Sequence, residues 1–173
     1  MKRRGLQLTF GALLRGRTPK RPAPTSKRPT TPKRDGPAAR NYDRVTREML
    51  ERYGVRVRRW RTSMSGVAML VRDRRTGETV RVIEAPRPRG PMSASVFLHE
   101  IGHHAIGVGS VKPRCLEELR AWQFAIETME AEGIAVTDRV RERMDLALRH
   151  AVAKSLRRGI KRLPAELAEY AGD

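Results

Sequence analysis

The stretch VRVRRWRTSMSGVAMLVRDRRTGETVRVIEA, residues 55–85, decides the fold class. Its first part, VRVRRW (55–60), alternates apolar and basic side chains, the period-two pattern of a half-buried strand. GVAMLVRD (66–73) is more continuously apolar, and ETVRVIEA (78–85) alternates again. Between these two, RRTG (74–77) supplies turn chemistry, so the stretch predicts an antiparallel three-stranded meander with a hairpin at Arg74–Gly77. Arg56, Arg58, Arg72 and Arg81 then fall on an outer, solvated face. Upstream, YDRVTREMLERYG puts Val45, Met49 and Leu50 on one helical face and stops at Gly54. Downstream of PRPRGP, helical patterns occupy about 93–107, 115–132 and 138–158, and PAELAEY adds a short amphipathic piece. A small antiparallel sheet followed by a helical half reads as α+β.

The chain has 173 residues, room for one ordinary domain. It carries 37 Lys plus Arg against 19 Asp plus Glu, a formal charge of +18, which favours polyanionic partners without bearing on fold. Residues 1–40 contribute +11 of that charge and hold TPKRPAPTSKRPTTPKRDGP. Recurrent proline and like charges resist ordered structure there. The expected organisation is therefore a disordered basic tail over 1–40, with nonspecific affinity for nucleic acid, and a folded domain over 41–173. A single cysteine, Cys115, excludes an internal disulfide framework and a cysteine-rich zinc finger. The start MKRRGLQLTFGALL is basic and partly apolar, but Gln7 and Thr9 interrupt it and no small-residue cleavage site follows. No apolar run approaches the length of a membrane span, and the expectation is an intracellular, cytoplasmic protein without membrane contact.

The chemistry concentrates in HEIGHH, residues 99–104, which holds three of the four histidines of the chain. His99, Glu100 and His103 satisfy H-E-x-x-H, and histidines four apart on one helix face can both reach one metal ion. Glu100, beside the first ligand, is placed to take a proton from a metal-activated water. Ser93 or Ser95 is a candidate cap for this helix. A further Gly at 106 and His at 109 would mark a metzincin, but the chain has Ile106 and Gly109. His150 lies late in a basic helix, where a solvated or helix-end role is expected. The third ligand is then a carboxylate on the next helix, Glu117 or Glu118. One- and two-turn spacing to Ala121 and Ala125 sets Glu118 on the inward face and favours it, with Glu117 as the alternative. Two histidines and a glutamate suit zinc. Cys115 and Trp122 read as packing residues, and His104, one step from the ligand face, as a helix-surface histidine.

HEIGHH, a short loop and then Glu118-x-x-Ala121-x-x-Phe124-Ala125 together resemble the ImmA/IrrE-like zinc metallopeptidases, over about residues 96–126. In that family the second helix carries E-x-x-A-x-x-F-A, its glutamate being the third ligand. The resemblance implies a gluzincin-type, zincin-like domain with His99, His103 and Glu118 on zinc, Glu100 as general base, and a small sheet ahead of the HExxH helix. His104 is not part of the pattern. The expected function is a zinc metallopeptidase hydrolysing peptide bonds of a protein or peptide substrate, laid against a sheet edge such as strand 78–85. The alternative is a basic nucleic-acid-binding protein whose metal site is structural or vestigial.

Overall fold

The computed structural model describes residues 36–172, and the elements run helix, three strands, three helices and a closing 3-10 turn. The basic stretch 1–35, with its expected tail structure and nucleic-acid contacts, lies outside the described residues. The first helix, α1 (Pro37–Arg52), begins four residues earlier than the boundary expected at 41. Gly36 enters in an extended conformation, and Pro37 needs no intrahelical partner at the first turn, so a proline-bearing start does not oppose the helix. Val45 and Met49 are buried, and Asn41 Nδ2 donates to the Glu132 carbonyl at 3.0 Å, fastening α1 to the end of a later helix.

Strands β1 (Val55–Arg61), β2 (Val67–Arg72) and β3 (Thr79–Pro86) form one sheet, so the α+β class holds. The antiparallel meander does not. The order is β1-β3-β2, with β3 antiparallel to β2 but parallel to β1, a mixed sheet. The hairpin between β2 and β3 is as expected: Asp73 and Glu78 close it, and Gly77 takes a positive φ of 75°. What changes is the occupant of the centre. From Val82 to Ala85 every residue of β3 is buried, whereas Leu70 and Val71 of β2 are exposed. The strand that can tolerate burial on both faces takes the middle, and the arginine-rich β1 takes an edge.

A bulge between Val57 and Arg59 resets the alternation of β1. After it, Trp60 rather than an arginine comes into register with Ala85, its ring 6.1 Å from Phe97 in the core. The opposite face gathers Arg58, Arg59 and Arg61 around Glu84, with Arg61 Nη2 at 3.1 Å. Burial opposes ionisation of Glu84, but these guanidiniums outweigh it and hold the carboxyl below its ordinary value. Arg61 Nη1 also donates to Ser65 Oγ at 3.0 Å, which fixes the connection leading into β2.

Helices α2 (Pro91–Ile106), α3 (Arg114–Ala131) and α4 (Asp138–Arg157) match the three expected helical stretches, and a 3-10 helix (Ala165–Tyr170) realises PAELAEY. Phe97, Leu98, Ile101, Met129, Leu148 and Leu167 are among the most deeply buried side chains and join helices and sheet in one core. No helix among the described residues is long and apolar enough to cross a membrane.

Candidate metal centre

Helix α2 is the centre of the fold, and every residue from Ser93 to His104 is buried. Ser93 Oγ caps its start, accepting from Arg89 and Gly90 backbone N–H groups at 2.9 and 3.2 Å. Ser95 instead donates to the Met92 carbonyl within the helix. One consequence concerns His104. On a helix buried all round there is no surface face, and His104 is 2% exposed rather than solvated. Its Nε2 donates to the Val82 carbonyl at 3.1 Å, tying α2 to the central strand, and burial holds its pKa down.

Helix α3 packs against α2 at a point of close backbone approach. A Cβ on Gly102 would lie 2.7 Å from the Ala121 carbonyl oxygen and 3.1 Å from its Cα. A side chain at position 102 would meet the α3 backbone, so this approach requires glycine there. One turn before each crossing residue stand the chemical groups: His99 precedes Gly102 by three, and Glu118 precedes Ala121 by three. The crossing therefore delivers Glu118 to the histidines. Glu118 Oε2 is 3.2 Å from His99 Nε2 and 3.6 Å from His103 Nε2. Ligands tetrahedrally placed about 2.0–2.2 Å from a zinc-sized ion are separated by roughly 3.3–3.6 Å, so the donor set fits one. The structure thus brings together His99, His103 and Glu118 as a largely buried group that can hold a metal ion.

Gly102→Val forces the two helices apart against backbone atoms that cannot yield by side-chain rotation. We expect a loss of at least about 2 kcal/mol in stability, read as a lower midpoint of urea unfolding. An unchanged midpoint would mean that this crossing does not set the helix spacing.

Glu117 has a different place from Glu118. It is fully buried, the more buried of the two, contrary to the expectation that Glu118 occupies the inward face. Glu117 Oε1 accepts from His103 Nδ1 at 3.0 Å, Gly109 N at 3.1 Å and Arg114 Nη1 at 2.9 Å. As acceptor it takes the Nδ1–H of His103 and leaves Nε2 facing Glu118, the arrangement of carboxylates behind metal-binding histidines. Arg114 also binds Glu118 Oε1 at 3.0 Å, leaving Oε2 turned to the histidines. Trp122 packs 4.5 Å from the His99 ring and restrains it, so the tryptophan is part of the buried wall of the site.

The shifts at Glu118 and His99 suit ligation, whereas the one at His103 favours its protonated form. Burial raises the Glu118 pKa, but hydrogen bonds and charge from His103 and His99 outweigh that, so the carboxyl lies well below its usual range. Burial lowers the pKa of His99 and keeps its nitrogen free. His103 is pushed down by burial and up more strongly by Glu118. Glu100, a residue away from His99, is 5% exposed, and burial, with Glu118 adding to it, pushes its carboxyl up to about 7.

Gly66 was not legible in the sequence as a site residue. A Cβ there would stand 2.5 Å from Glu100 Cγ and 2.7 Å from Cδ, so the backbone entering β2 forms the wall against which Glu100 rests. The signal was weak: a lone glycine at a strand start, needed here for close approach rather than for its φ. Ser65, Val67 and Ala68 continue that wall into a cleft of about 740 Å³, whose lining includes His99, Glu100, His103 and Glu118. His150 also lines this cleft, although it lies far along the chain in the basic helix α4. In comparisons with known proteins, no family model, no curated protein and no solved structure matches this chain.

Proposed function

We propose that this chain is a zinc-dependent peptidase acting on a protein or peptide substrate, as its likeness to the ImmA/IrrE-like metallopeptidases implies. The observation that carries the reading is the convergence of His99, His103 and Glu118 at a cleft in which Glu100 stands beside them with a carboxyl poised near neutrality. Zinc, when bound, supplies the Lewis acid that activates water and polarises a carbonyl. The residues of the chain do the rest. Glu100 accepts the proton of the attacking water while the oxygen adds to the scissile carbonyl carbon. The same carboxyl then gives that proton to the departing nitrogen as the C–N bond breaks. Glu117 keeps His103 oriented, and Trp122 keeps His99 in place.

The strand against which a peptide would lie is β2, not the 78–85 strand first expected. β3 has neighbours on both sides, while β2 is an edge whose Val67 and Ala68 line the cleft. An edge offers unpaired backbone donors and acceptors to an extended chain. The test is metal content joined to activity. Protein purified without added zinc should carry about one zinc per chain, and should cut an unstructured protein substrate in a manner abolished by chelation and restored by zinc. Metal-free, folded protein that gains no activity on zinc addition would refute the reading.

A further inference from the structure

The cleft has a second wall that the hydrolytic chemistry does not use. Arg143, His150, Lys154 and Arg158 all line it. The first three belong to α4, and Arg158 caps its end. Spacings of seven, four and four place them in one stripe along the helix. At about 1.5 Å per residue the stripe runs for roughly 22 Å, the span of about six or seven residues of extended chain. Among the described residues, Lys154 and Arg158 have no carboxylate within ion-pair distance. By contrast Arg141 and Arg149, on the same helix but outside the cleft lining, pair with Glu130 and Asp145. Arg143 donates one Nη to the Met64 carbonyl at 3.3 Å, and its Nε is buried without a partner. The acids in the lining are Glu100 and Glu118, the first given to the hydrolytic step and the second grouped with the histidines.

We infer that this stripe selects the substrate: the cleft takes an extended peptide carrying Asp or Glu side chains, its backbone along β2 and its carboxylates toward Lys154 and Arg158. This rests on the peptidase reading and names the substrate class. A peptide satisfies both walls, because its amides match the strand edge and its carboxylates match the helix. A nucleic acid matches the second wall alone, since its phosphodiester backbone offers no N–H donors to a strand edge.

The experiment uses the full chain, zinc-loaded and carrying Glu100→Gln so that peptides are held rather than consumed. Two labelled eight-residue peptides are compared by fluorescence anisotropy, one with glutamates at alternate positions and one with glutamines in their place. Each is measured with and without the exposed pair Lys154→Glu and Arg158→Glu. The basic stretch 1–35 is common to both proteins, so its general attraction for acids cancels. We expect the acidic peptide to lose about ten-fold in affinity on charge reversal, while the glutamine peptide changes less than about two-fold. Lys154→Gln with Arg158→Gln should give an intermediate loss, which separates charge from misfolding. With Glu100 intact, the reversal should raise KM for the acidic peptide with little change in kcat.

Equal affinities for the acidic peptide in the two proteins would overturn the inference. So would a single-stranded oligonucleotide whose binding falls more than that of the peptide on the same reversal, because the stripe would then be a phosphate track. If the acidic preference vanishes on reversal but neither peptide is cut by the Glu100-intact, zinc-loaded chain, the recognition stands and the peptidase reading fails.

Discussion

Glu100→Gln is expected to lower kcat by about a thousand-fold or more, within the range lost when a positioned general base is removed. The metal should stay, because Glu100 is not among the three grouped ligands, and the amide fills the space of the carboxylate it replaces. On the peptidase reading, a glutamine in that place cannot accept the proton of the attacking water. Its wall contact with Gly66 is otherwise preserved, so the fold is expected to survive the substitution. The measurement is kcat on an unstructured protein substrate, with zinc stoichiometry and thermal unfolding as controls. Activity within ten-fold of the parent, at full zinc occupancy, would assign the proton to another group.

Glu118→Ala should act on the ion itself, weakening zinc binding by about a hundred-fold or more and taking activity with it. Two histidines from one helix would remain, and Arg114 would lose one of its two carboxylate partners. Chelator competition measures the affinity. The neighbouring substitution Glu117→Gln provides the internal scale. It leaves the ligands in place but loosens His103, for an expected loss of about ten-fold to a hundred-fold. If Glu117→Gln weakens zinc more than Glu118→Ala does, the roles given to the two carboxylates are reversed.

The helices and the HExxH pair were legible because their information is local. Apolar residues at helical spacing announce the helix, and two histidines four apart need nothing beyond it to share a face. Strand order was not legible, since 66–73 read as the more continuously apolar strand and 78–85 as alternating, yet it is β3 that is buried from Val82 to Ala85 while β2 leaves Leu70 and Val71 exposed. The two glutamates of α3 show the same limit at the scale of one residue. Neighbours on a helix point about 100° apart, and both directions here lead into protein. Only the crossing at Gly102 and Ala121 assigns one carboxylate to the histidine nitrogens and the other to the back of the ring. His104 was misread because a surface was assumed for a helix that has none. The cleft-facing part of α4 depended on where that helix docks, which its own pattern of apolar and basic residues leaves open.

The absence of a side chain at Gly66 also ties the site to the accuracy of folding. Strand pairing can err by sliding one residue along its partner, and such a slip preserves many backbone hydrogen bonds. In this sheet a slip of β2 toward its own start would bring Val67 to the place opposite Glu100, where even a methyl group does not fit. A misaligned sheet would therefore have to expel the glutamate from its seat. The position that gives the carboxylate its wall is also a checkpoint on assembly, and a mispaired molecule loses the seat of Glu100 outright rather than keeping a loosened one.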